Sequence, residues 1–193
     1  MSEKNLKNRK EEIESLVQKV QDGDQDAFAV LYDIFVDPLY RYVYYRVHKD
    51  EAEDIVETLF LKIWQNIKRY SKKPGSSFSS WAFRIAHNLV VDYYRAAEGK
   101  RTEELSDFLP DDSRDHNPLK NTERALDKEM LHEALDYIPE QYREILIYRF
   151  INELENKEIA KILGKTEGNL RILQFRALKS LRKQLEKMGI KPN

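Results

Sequence analysis

The segment FSSWAFRIAHNLVVDYYR, residues 78–95, combines an aromatic entrance with the periodicity of a helix. Its apolar residues recur at the spacing of one helix face: Ala82, Ile85, Ala86, Leu89 and Tyr93. A second stripe on about the opposite side holds the side chains Trp81, Arg84, Asn88, Val91 and Arg95, with Asp92 beside it. Such side chains can hydrogen-bond base edges, hold phosphates and stack on bases. The segment alone also fits an ordinary bundle helix with a half-buried tryptophan and solvated arginines.

Composition bounds the fold class of the whole chain. The chain has 193 residues, of which 35% are charged and only 6 are glycine and 6 proline. Leu, Glu, Lys, Arg and Ala fill periodic segments, and strand-forming runs are weak. We therefore predict an all-α protein of two small helical domains, joined by an acidic flexible linker, with a helix-turn-helix in the second domain.

Several classes of protein are disfavoured by what the sequence does not contain. Cysteine is absent, so disulfides and thiol nucleophiles are excluded. No apolar run approaches the ~18 residues of a membrane span, and the first residues do not form a signal peptide. We therefore expect no membrane insertion and a cytoplasmic location.

Charge is unevenly distributed along a chain whose net charge is −1. Residues 98–125 hold 5 basic and 8 acidic side chains and two prolines, which is typical of an acidic linker. Residues 165–193 hold 8 basic side chains and 2 acidic ones. A local basic segment indicates a nucleic-acid-binding module, although a solvated terminal helix would look similar.

The N-terminal half contains a series of helix signals. Asp24 or Gln25 opens a helix, and Pro38 is placed to start another one at its first turn. A further helix is predicted for residues 50–70, with Phe60 and Trp64 at the edge of its apolar face. The loop of residues 71–77 contains a Pro-Gly turn signal and is placed to bound a pocket for an extruded base.

The C-terminal half ends in a helix-turn-helix pattern. Residues 126–138 and 140–151 predict two helices whose core positions include Met130 and Phe150. A short helix over 156–163 is then followed by Gly164, a left-handed terminator, and by Thr166, which caps the next helix. This spacing is typical of a helix-turn-helix. The predicted anchors of its second helix are Leu170, Leu173, Ala177, Leu178 and Leu181.

Five segments in register resemble one family, the extracytoplasmic-function (ECF) group of bacterial RNA polymerase sigma factors. They are GDQDAFAVLYDIFVDPLYRYVYYRV, DEAEDIVETLFLKIW, FSSWAFRIAHNLVVDYYR, ALDYIPEQYREILIYRF and EIAKILGKTEGNLRILQFRALKSLRKQL. The resemblance covers about residues 22–185. The chain departs from the family pattern at Glu57-Thr58, at Glu155-Asn156 and at Ile172-Leu173.

The resemblance implies a division of the chain into functional parts. Residues 1–97 would be sigma region 2, residues 98–125 the linker, and residues 126–193 sigma region 4. The implied function is to bind core RNA polymerase, through the clamp of its beta-prime subunit, and to direct promoter-specific initiation. An anti-sigma factor is a further implied partner.

The resemblance also implies three sets of site residues. Those for the minus-ten element, including a stacking edge for unpaired bases, are Phe78, Trp81, Arg84, Asn88, Asp92, Arg95, Lys72 and Lys73. Those for the minus-thirty-five element are Arg149, Lys165, Thr166, Asn169, Arg171, Phe175, Arg176 and Lys179. Those for core polymerase are Glu53, Asp54, Glu57, Phe60, Leu61 and Trp64.

Two other classes of protein are weaker alternatives. A stand-alone helix-turn-helix regulator would explain residues 126–193 but leaves residues 78–95 and the linker without a role. An enzyme is disfavoured because the four histidines are far apart and no HExxH motif, carboxylate cluster or nucleophile–base pair occurs. We expect no catalytic activity, no metal and no cofactor.

Overall fold

The computed structural model describes residues 6–47, 49–103 and 123–190, and within these ranges every regular element is helical. Short 3-10 helices cover Leu6–Arg9 and Ile67–Arg69, and a π-helix covers Ile147–Ile151. The α-helices are α1 Lys10–Gln21, α2 Gln25–Tyr44, α3 Lys49–Asn66, α4 Phe78–Glu103, α5 Glu123–Asp136, α6 Glu140–Leu146, α7 Asn156–Ile162 and α8 Glu167–Lys187. The all-α prediction is confirmed.

The N-terminal half, residues 6–103, packs α1, α3 and α4 around α2. The Asp24 side chain caps α2 by accepting a hydrogen bond from the Ala27 amide at 3.0 Å. Aromatic side chains of α2 and α4, including Phe35 and Phe83, are fully buried at the centre. This core holds α4 against α3, so that the polar stripe of α4 faces away from it.

The prediction that Pro38 starts a new helix is wrong, because α2 continues through it. A proline inside a helix removes one backbone hydrogen bond and costs ~3 kcal/mol or more. The helix continues because Leu39, Tyr42 and Val43 extend its buried face beyond the proline and are entirely enclosed. Their burial offsets the cost of the proline, since each large apolar side chain contributes about 1.5–3 kcal/mol.

The helices flanking the acidic segment are longer than the sequence indicates. Helix α4 ends at Glu103 and α5 begins at Glu123, so both ends lie inside the predicted linker of residues 98–125. Residues 104–122 lie outside the described part of the chain. The division at residues 97 and 126 therefore stays a prediction.

In the C-terminal half, residues 123–190, a π-helix changes which residues face inward. It directly follows α6, and the Asn152 amide donates to the Ile147 carbonyl at 2.9 Å, a five-residue step. The wider turn buries Ile147 and Tyr148, whereas Phe150 is 56% exposed. The prediction of Phe150 as a core residue is therefore wrong. Met130 and Leu178 are also exposed rather than core residues.

The helix-turn-helix itself is confirmed by its local geometry. Gly164 ends α7 with φ of +63°, in the left-handed region. The Thr166 hydroxyl then caps α8 by accepting from the Asn169 amide at 3.2 Å. Leu170, Leu173 and Ala177 are buried as anchors of the second helix. Gln174 of α8 also donates to the Asn156 side chain of α7 at 2.8 Å.

The two halves pack against each other and share one hydrophobic core. Tyr42 of α2 stacks on Tyr148 of the π-helix, with ring centroids 4.8 Å apart and an interplanar angle of 11°. The Asn152 side chain donates to the Pro38 carbonyl at 2.6 Å. Helix α7 lies against the first turns of α4. The described structure is thus one closed body.

Candidate nucleic-acid interface

The start of α4 is held by a reciprocal pair of serine hydrogen bonds and by one hydrogen bond to α1. The Ser80 amide donates to the Ser77 hydroxyl at 3.2 Å, and the Ser77 amide donates to the Ser80 hydroxyl at 3.0 Å. The Phe78 amide donates to a carboxylate oxygen of Glu14, on α1, at 2.9 Å. These bonds satisfy amides that a helix start leaves free, and they hold the aromatic entrance in one position.

Phe78 is buried and cannot stack on a base, so its predicted contact with DNA is wrong. Only 1% of its surface is exposed. Its ring lies edge-on against Phe35 and Tyr70, with centroids 5.4 and 5.3 Å away. Phe78 also contacts Trp81 at 5.2 Å, so it supports the one aromatic of the pair that reaches the surface. The aromatic-rich core of the first half draws Phe78 inward.

Trp81 borders a cleft of about 310 Å³ between α3, the 3-10 helix of residues 67–69 and α4. The walls of this cleft carry an aromatic face, an apolar side chain, amides and cations, contributed by Lys62, Asn66, Arg69, Tyr70, Trp81, Ile85 and Asn88. This combination of stacking surfaces and hydrogen-bonding groups is suited to an unpaired nucleobase and its phosphate. We name it the Trp81 cleft.

Besides Tyr70 and Ile85, three residues of the Trp81 cleft are not among the predicted site residues. Lys62, Asn66 and Arg69 recur at steps of four and three residues on the end of α3 and the turn after it. Such a polar stripe next to an aromatic-headed helix is a signal that could have found them. Asn66 donates to the Lys62 carbonyl at 2.8 Å, which orients its side chain.

Four further polar side chains of α4 lie exposed along one side of the helix. Arg84, Asn88, Asp92 and Arg95 thus lie together as the sequence predicted, and only Asn88 lines the cleft. Arg95 lies 3.8 Å from Asp92, both largely in solvent. Arg84 donates a long hydrogen bond of 3.4 Å to the Ile162 carbonyl of α7.

The loop of residues 71–77 does not form the pocket that the sequence predicted. Lys72 and Lys73 are exposed, and neither lines the Trp81 cleft. The turn at Pro74 instead meets α7, where Lys161 donates to the Pro74 carbonyl at 2.8 Å. The two lysines therefore add positive charge beside the start of α4 rather than a wall of the cleft.

The outer face of α8 presents a second set of predicted contacts. Asn169, Arg171, Arg176 and Lys179 are exposed, and Phe175 is 70% exposed. Thr166 and Lys165 lie at the start of this helix, where backbone amides favour phosphate. Arg149 lies apart from that face and donates to the Leu154 carbonyl at 3.1 Å. The structure thus brings together all of the predicted minus-thirty-five residues except Arg149.

The outward face of α3 presents acids and apolar side chains. Glu53, Asp54, Glu57, Leu61 and Trp64 are exposed, as a protein-binding face requires. The ring of Trp64 meets Phe28 of α2 at 4.7 Å, and between α2 and α3 lies a mainly apolar groove of about 380 Å³.

Phe60 departs from its predicted role on this face. It is only 8% exposed and packs against Tyr32, with ring centroids 4.4 Å apart. Direct contact of Phe60 with a partner is therefore contradicted. Tyr32 itself is exposed and takes its place on the surface.

An ionic cluster around the buried carboxylate of Glu144 joins the two halves. Oε1 of Glu144, on α6, accepts from the Tyr42 hydroxyl at 3.0 Å and from Arg46 at 2.8 Å, and it lies 2.6 Å from Nδ1 of His87. Arg46 also pairs with Glu140 at 2.5 Å. We call these five residues the Glu144 cluster.

Glu144 is held as a carboxylate. Burial alone would raise the pKa of this carboxyl, but the hydrogen bond from His87 and the charge of Arg46 lower it to about 2. The folded pKa therefore lies below the ordinary glutamate value of about 4.3. Ionised Glu144 therefore stabilises the folded protein fully above pH ~4.3, and this contribution is lost as the pH falls through about 2.

The fold defines an all-α protein with a helix-turn-helix in its C-terminal half and with a cleft beside the start of α4 that is lined by aromatic and polar side chains. Two family models match it, Sigma-70 region 2 over residues 31–99 and Sigma-70, region 4 over residues 128–181. The chain is 32% identical over 190 residues to the ECF RNA polymerase sigma factor SigW of Bacillus subtilis, covering 90% of this chain and 96% of that protein. The chain belongs to the family of ECF RNA polymerase sigma factors.

Other relatives agree with this assignment. The ECF RNA polymerase sigma factor BldN of Streptomyces coelicolor is 33% identical over 171 residues, which are 88% of this chain and 64% of that longer protein. The structure of CnrH in complex with the cytosolic domain of CnrY matches with a TM-score of 0.67 at 20% identity, over 89% of this chain and 96% of that one.

The sigma factor RpoE of Bartonella quintana, in complex with the anti-sigma factor NepR, matches with a TM-score of 0.69 at 20% identity. That match covers 82% of this chain and 96% of the other. At this identity the two structural matches establish the fold. Among the helices of the described ranges, none is long and apolar enough to cross a membrane.

Proposed function

We propose that this sigma factor docks on the clamp of core RNA polymerase, reads the minus-ten and minus-thirty-five elements, and stabilises the melted strand. The observation that carries the proposal is the Trp81 cleft, which offers a stacking face, amides and cations in one place. A duplex-binding regulator has no use for such a cleft, because bases inside a duplex are already stacked. The stand-alone regulator is therefore disfavoured.

The Trp81 cleft would act after the minus-ten element opens. Unstacking a base costs a few kcal/mol, and stacking on an aromatic side chain returns ~1–3 kcal/mol. Trp81 would stack on one unpaired base while Asn88 hydrogen-bonds its edge. Lys62 and Arg69 would hold the adjoining phosphates, with Arg84 and Arg95 following the backbone along α4.

Helix α8 would read the upstream element in the major groove. Its N-terminal residues enter the groove, as in other helix-turn-helix proteins, and Arg171 and Arg176 can form bidentate hydrogen bonds with guanine. Lys165 and the capped helix start would bind a phosphate. Ile172 stands exposed between these arginines, where an apolar side chain can contact a thymine methyl group.

The exposed face of α3 would dock on the polymerase. Leu61 and Trp64 supply apolar area at the edge of the groove beside Phe28, and Glu53, Asp54 and Glu57 supply surrounding negative charge. A contact with an apolar centre and a charged rim is the usual arrangement of a protein interface.

An anti-sigma factor is proposed as a further partner, since the structural neighbour RpoE was solved in complex with the anti-sigma factor NepR. The protein would work in the cytoplasm, where polymerase and promoters are. It would perform no catalysis itself, because phosphodiester synthesis belongs to the polymerase.

Transcription with purified core polymerase tests the proposed function. Core polymerase plus this protein, on fragmented genomic DNA, should give transcripts whose start sites share two upstream sequence elements. Core polymerase alone is the control. Unchanged or repressed transcription, together with duplex binding by the protein alone, would contradict the proposal and favour the stand-alone regulator.

A further inference from the structure

We propose that two polar side chains of α1, Glu14 and Gln21, are positioning residues that set the shape of the Trp81 cleft. Neither side chain lines the cleft, so each would act on an unpaired base only through the residues that do. Helix α1 would thereby determine how well the protein holds the melted strand without touching DNA. This inference rests on the proposed function, because it presumes that the Trp81 cleft binds an unpaired base.

The two side chains reach the chain on either side of the loop of residues 71–77. They are seven residues apart, which is about two turns of α1, and therefore lie on one side of that helix. The helix itself is fixed in the core of the N-terminal half by the buried residues Ile13, Val17 and Val20. A fixed helix with two polar side chains can thus hold the two segments that the loop joins at a constant distance.

Gln21 holds the segment before the loop. Its Nε2 donates to the Ile67 carbonyl and to the Tyr70 carbonyl, each at 2.8 Å. Tyr70 directly follows the 3-10 helix Ile67–Arg69, at a helix end where carbonyls lack partners within the helix. The Gln21 amide therefore fixes the backbone position from which the Tyr70 ring reaches the cleft.

Glu14 holds both Tyr70 and the start of α4. Its Oε1 accepts from the Phe78 amide at 2.9 Å, and the Tyr70 hydroxyl donates to the two carboxylate oxygens at 3.2 Å. A carboxylate at the first turn of a helix is also favoured by the helix dipole. Burial raises the pKa of Tyr70, and the charge of Glu14 raises it further, so the hydroxyl stays protonated and donates.

The rings that Glu14 anchors are the ones that pack against Trp81. The Tyr70 ring lies 5.3 Å from the Trp81 ring at an interplanar angle of 52°, and the Phe78 ring lies 5.2 Å from it. Without the carboxylate, Tyr70 and the start of α4 could move, and the stacking face of Trp81 would lose its fixed orientation. Holding a binding group in its bound geometry in advance lowers the free-energy cost of binding.

Holo-polymerase containing the full chain tests the inference on two forms of one promoter mapped from its transcripts. The minus-ten element is fully paired in one form and replaced by a mismatched bubble in the other. Glu14→Ala should weaken binding to the bubble form by about tenfold, the effect of one hydrogen bond to a charged group. Binding to the paired form, measured in the cold where it stays closed, should change little. Glu11→Ala, at an exposed glutamate one turn earlier on α1, is the matched control and should leave both affinities unchanged.

A double-mutant cycle shows whether Glu14 acts through Trp81. In a Trp81→Ala background the stacking face is already lost, so adding Glu14→Ala should weaken bubble binding by less than about twofold. A residue that only stabilises the fold would give the same loss in both backgrounds, which would overturn the proposal. Glu14→Gln keeps an oxygen that can accept from the Phe78 amide and should retain most of the bubble binding. An equal change in Glu14→Gln and Glu14→Ala would assign the effect to the lost charge and also overturn the proposal.

A measurement on the free protein needs no promoter. With Trp64→Phe, Trp81 is the only tryptophan of the chain, and acrylamide quenching of its fluorescence reports how tightly its ring is packed. Glu14→Ala should raise the quenching constant by about twofold, and Gln21→Ala should raise it in the same direction. Urea unfolding verifies that each variant is folded.

The two measurements separate failure of the inference from failure of the proposed function. Unchanged quenching in both α1 variants would overturn the positioning role. Wild-type holo-polymerase that does not prefer the bubble form would instead overturn the proposed function, whereas the quenching result would still stand.

Discussion

Trp81 is the aromatic residue of the α4 entrance that reaches the surface, and this position gives it a testable role. We expect Trp81→Ala to impair promoter opening by about 5- to 150-fold, because stacking of ~1–3 kcal/mol is lost only after the bases unpair. Initial duplex binding should change little. Permanganate reactivity of unpaired thymines measures opening, and a gel shift on duplex DNA measures binding.

The matched control for this experiment is Trp81→Phe, which keeps an aromatic face on the cleft. It should retain most of the opening activity. An equal loss of opening and duplex binding in Trp81→Ala would argue that the ring only supports Phe78 and Tyr70, whose rings lie 5.2 and 5.3 Å away.

Arg171 provides the corresponding test on α8. We expect Arg171→Ala to weaken binding to the correct upstream element by ~1–3 kcal/mol while sparing mismatched sequences, if the guanidinium reads a guanine edge. Competition binding with a set of single-base variants of the element measures this. Arg182→Ala, near the other end of the helix, is the matched control. A uniform loss on every sequence would make Arg171 a phosphate contact instead.

Residue roles at the α4 entrance could be predicted from the sequence only in part. The pattern correctly places Arg84, Asn88, Asp92 and Arg95 on one exposed face, because the period of a helix fixes the face of each residue. It cannot distinguish Phe78 from Trp81, since both stand at the helix start. The partners that bury Phe78, such as Phe35 and Glu14, are more than 40 residues away in the chain.

At the scale of single elements, features that depend on neighbouring residues can be predicted from the sequence. Features that depend on packing cannot. Gly164 and Thr166 act on their immediate neighbours, so the helix-turn-helix was visible in the sequence. The sequence wrongly predicts a helix start at Pro38, because the free-energy cost of a proline inside α2 is outweighed by the burial of residues on the same helix face. Phe150 was misassigned because a π-helix, which shifts the inward face, has no clear local signature.

A pair of glycines allows the turn geometry to be tested. We expect Gly164→Ala to lower the free energy of unfolding by about 1–2 kcal/mol, because φ is +63° there and Cβ is disfavoured in that region. Gly168→Ala lies inside α8, with open space around an added Cβ, and should raise it by about 0.5–1 kcal/mol. Urea unfolding of both variants measures the difference, and equal effects in the same direction would refute the assignment.

At the scale of the whole molecule, the contact between the two halves could not be predicted from the sequence. The periodicity of α2 marks Tyr42 as a core residue but does not reveal that its partner is Tyr148. Nor does any local pattern connect Arg46 with Glu144. Such contacts depend on the path of the whole chain, so only the fold discloses them.

His132 gives this contact a pH dependence. Its ring lies 3.1 Å from the Tyr44 carbonyl and 3.5 Å from Asp136, and the hydrogen bond to Asp136 raises its pKa above 6.5 although burial opposes this. Protonated His132 therefore stabilises the folded protein fully below the pKa that the residue has in the unfolded chain. This contribution is lost as the pH rises through its raised pKa in the folded protein. We expect the difference in unfolding free energy between wild type and His132→Gln to shrink from about pH 5.5 to about pH 8.5. A difference independent of pH would refute this.

The ion pair between Arg46 and Glu144 also limits how far this protein can be treated as two interchangeable modules. A hybrid that joins residues 1–97 to the second half of a relative would keep Arg46 but inherit whatever residue that relative has opposite it. Where that residue is not acidic, the guanidinium of Arg46 lacks the carboxylate that Glu144 provides here. The two halves are therefore expected to vary together at these positions, and successful chimeras should be those that exchange Arg46 along with Glu144.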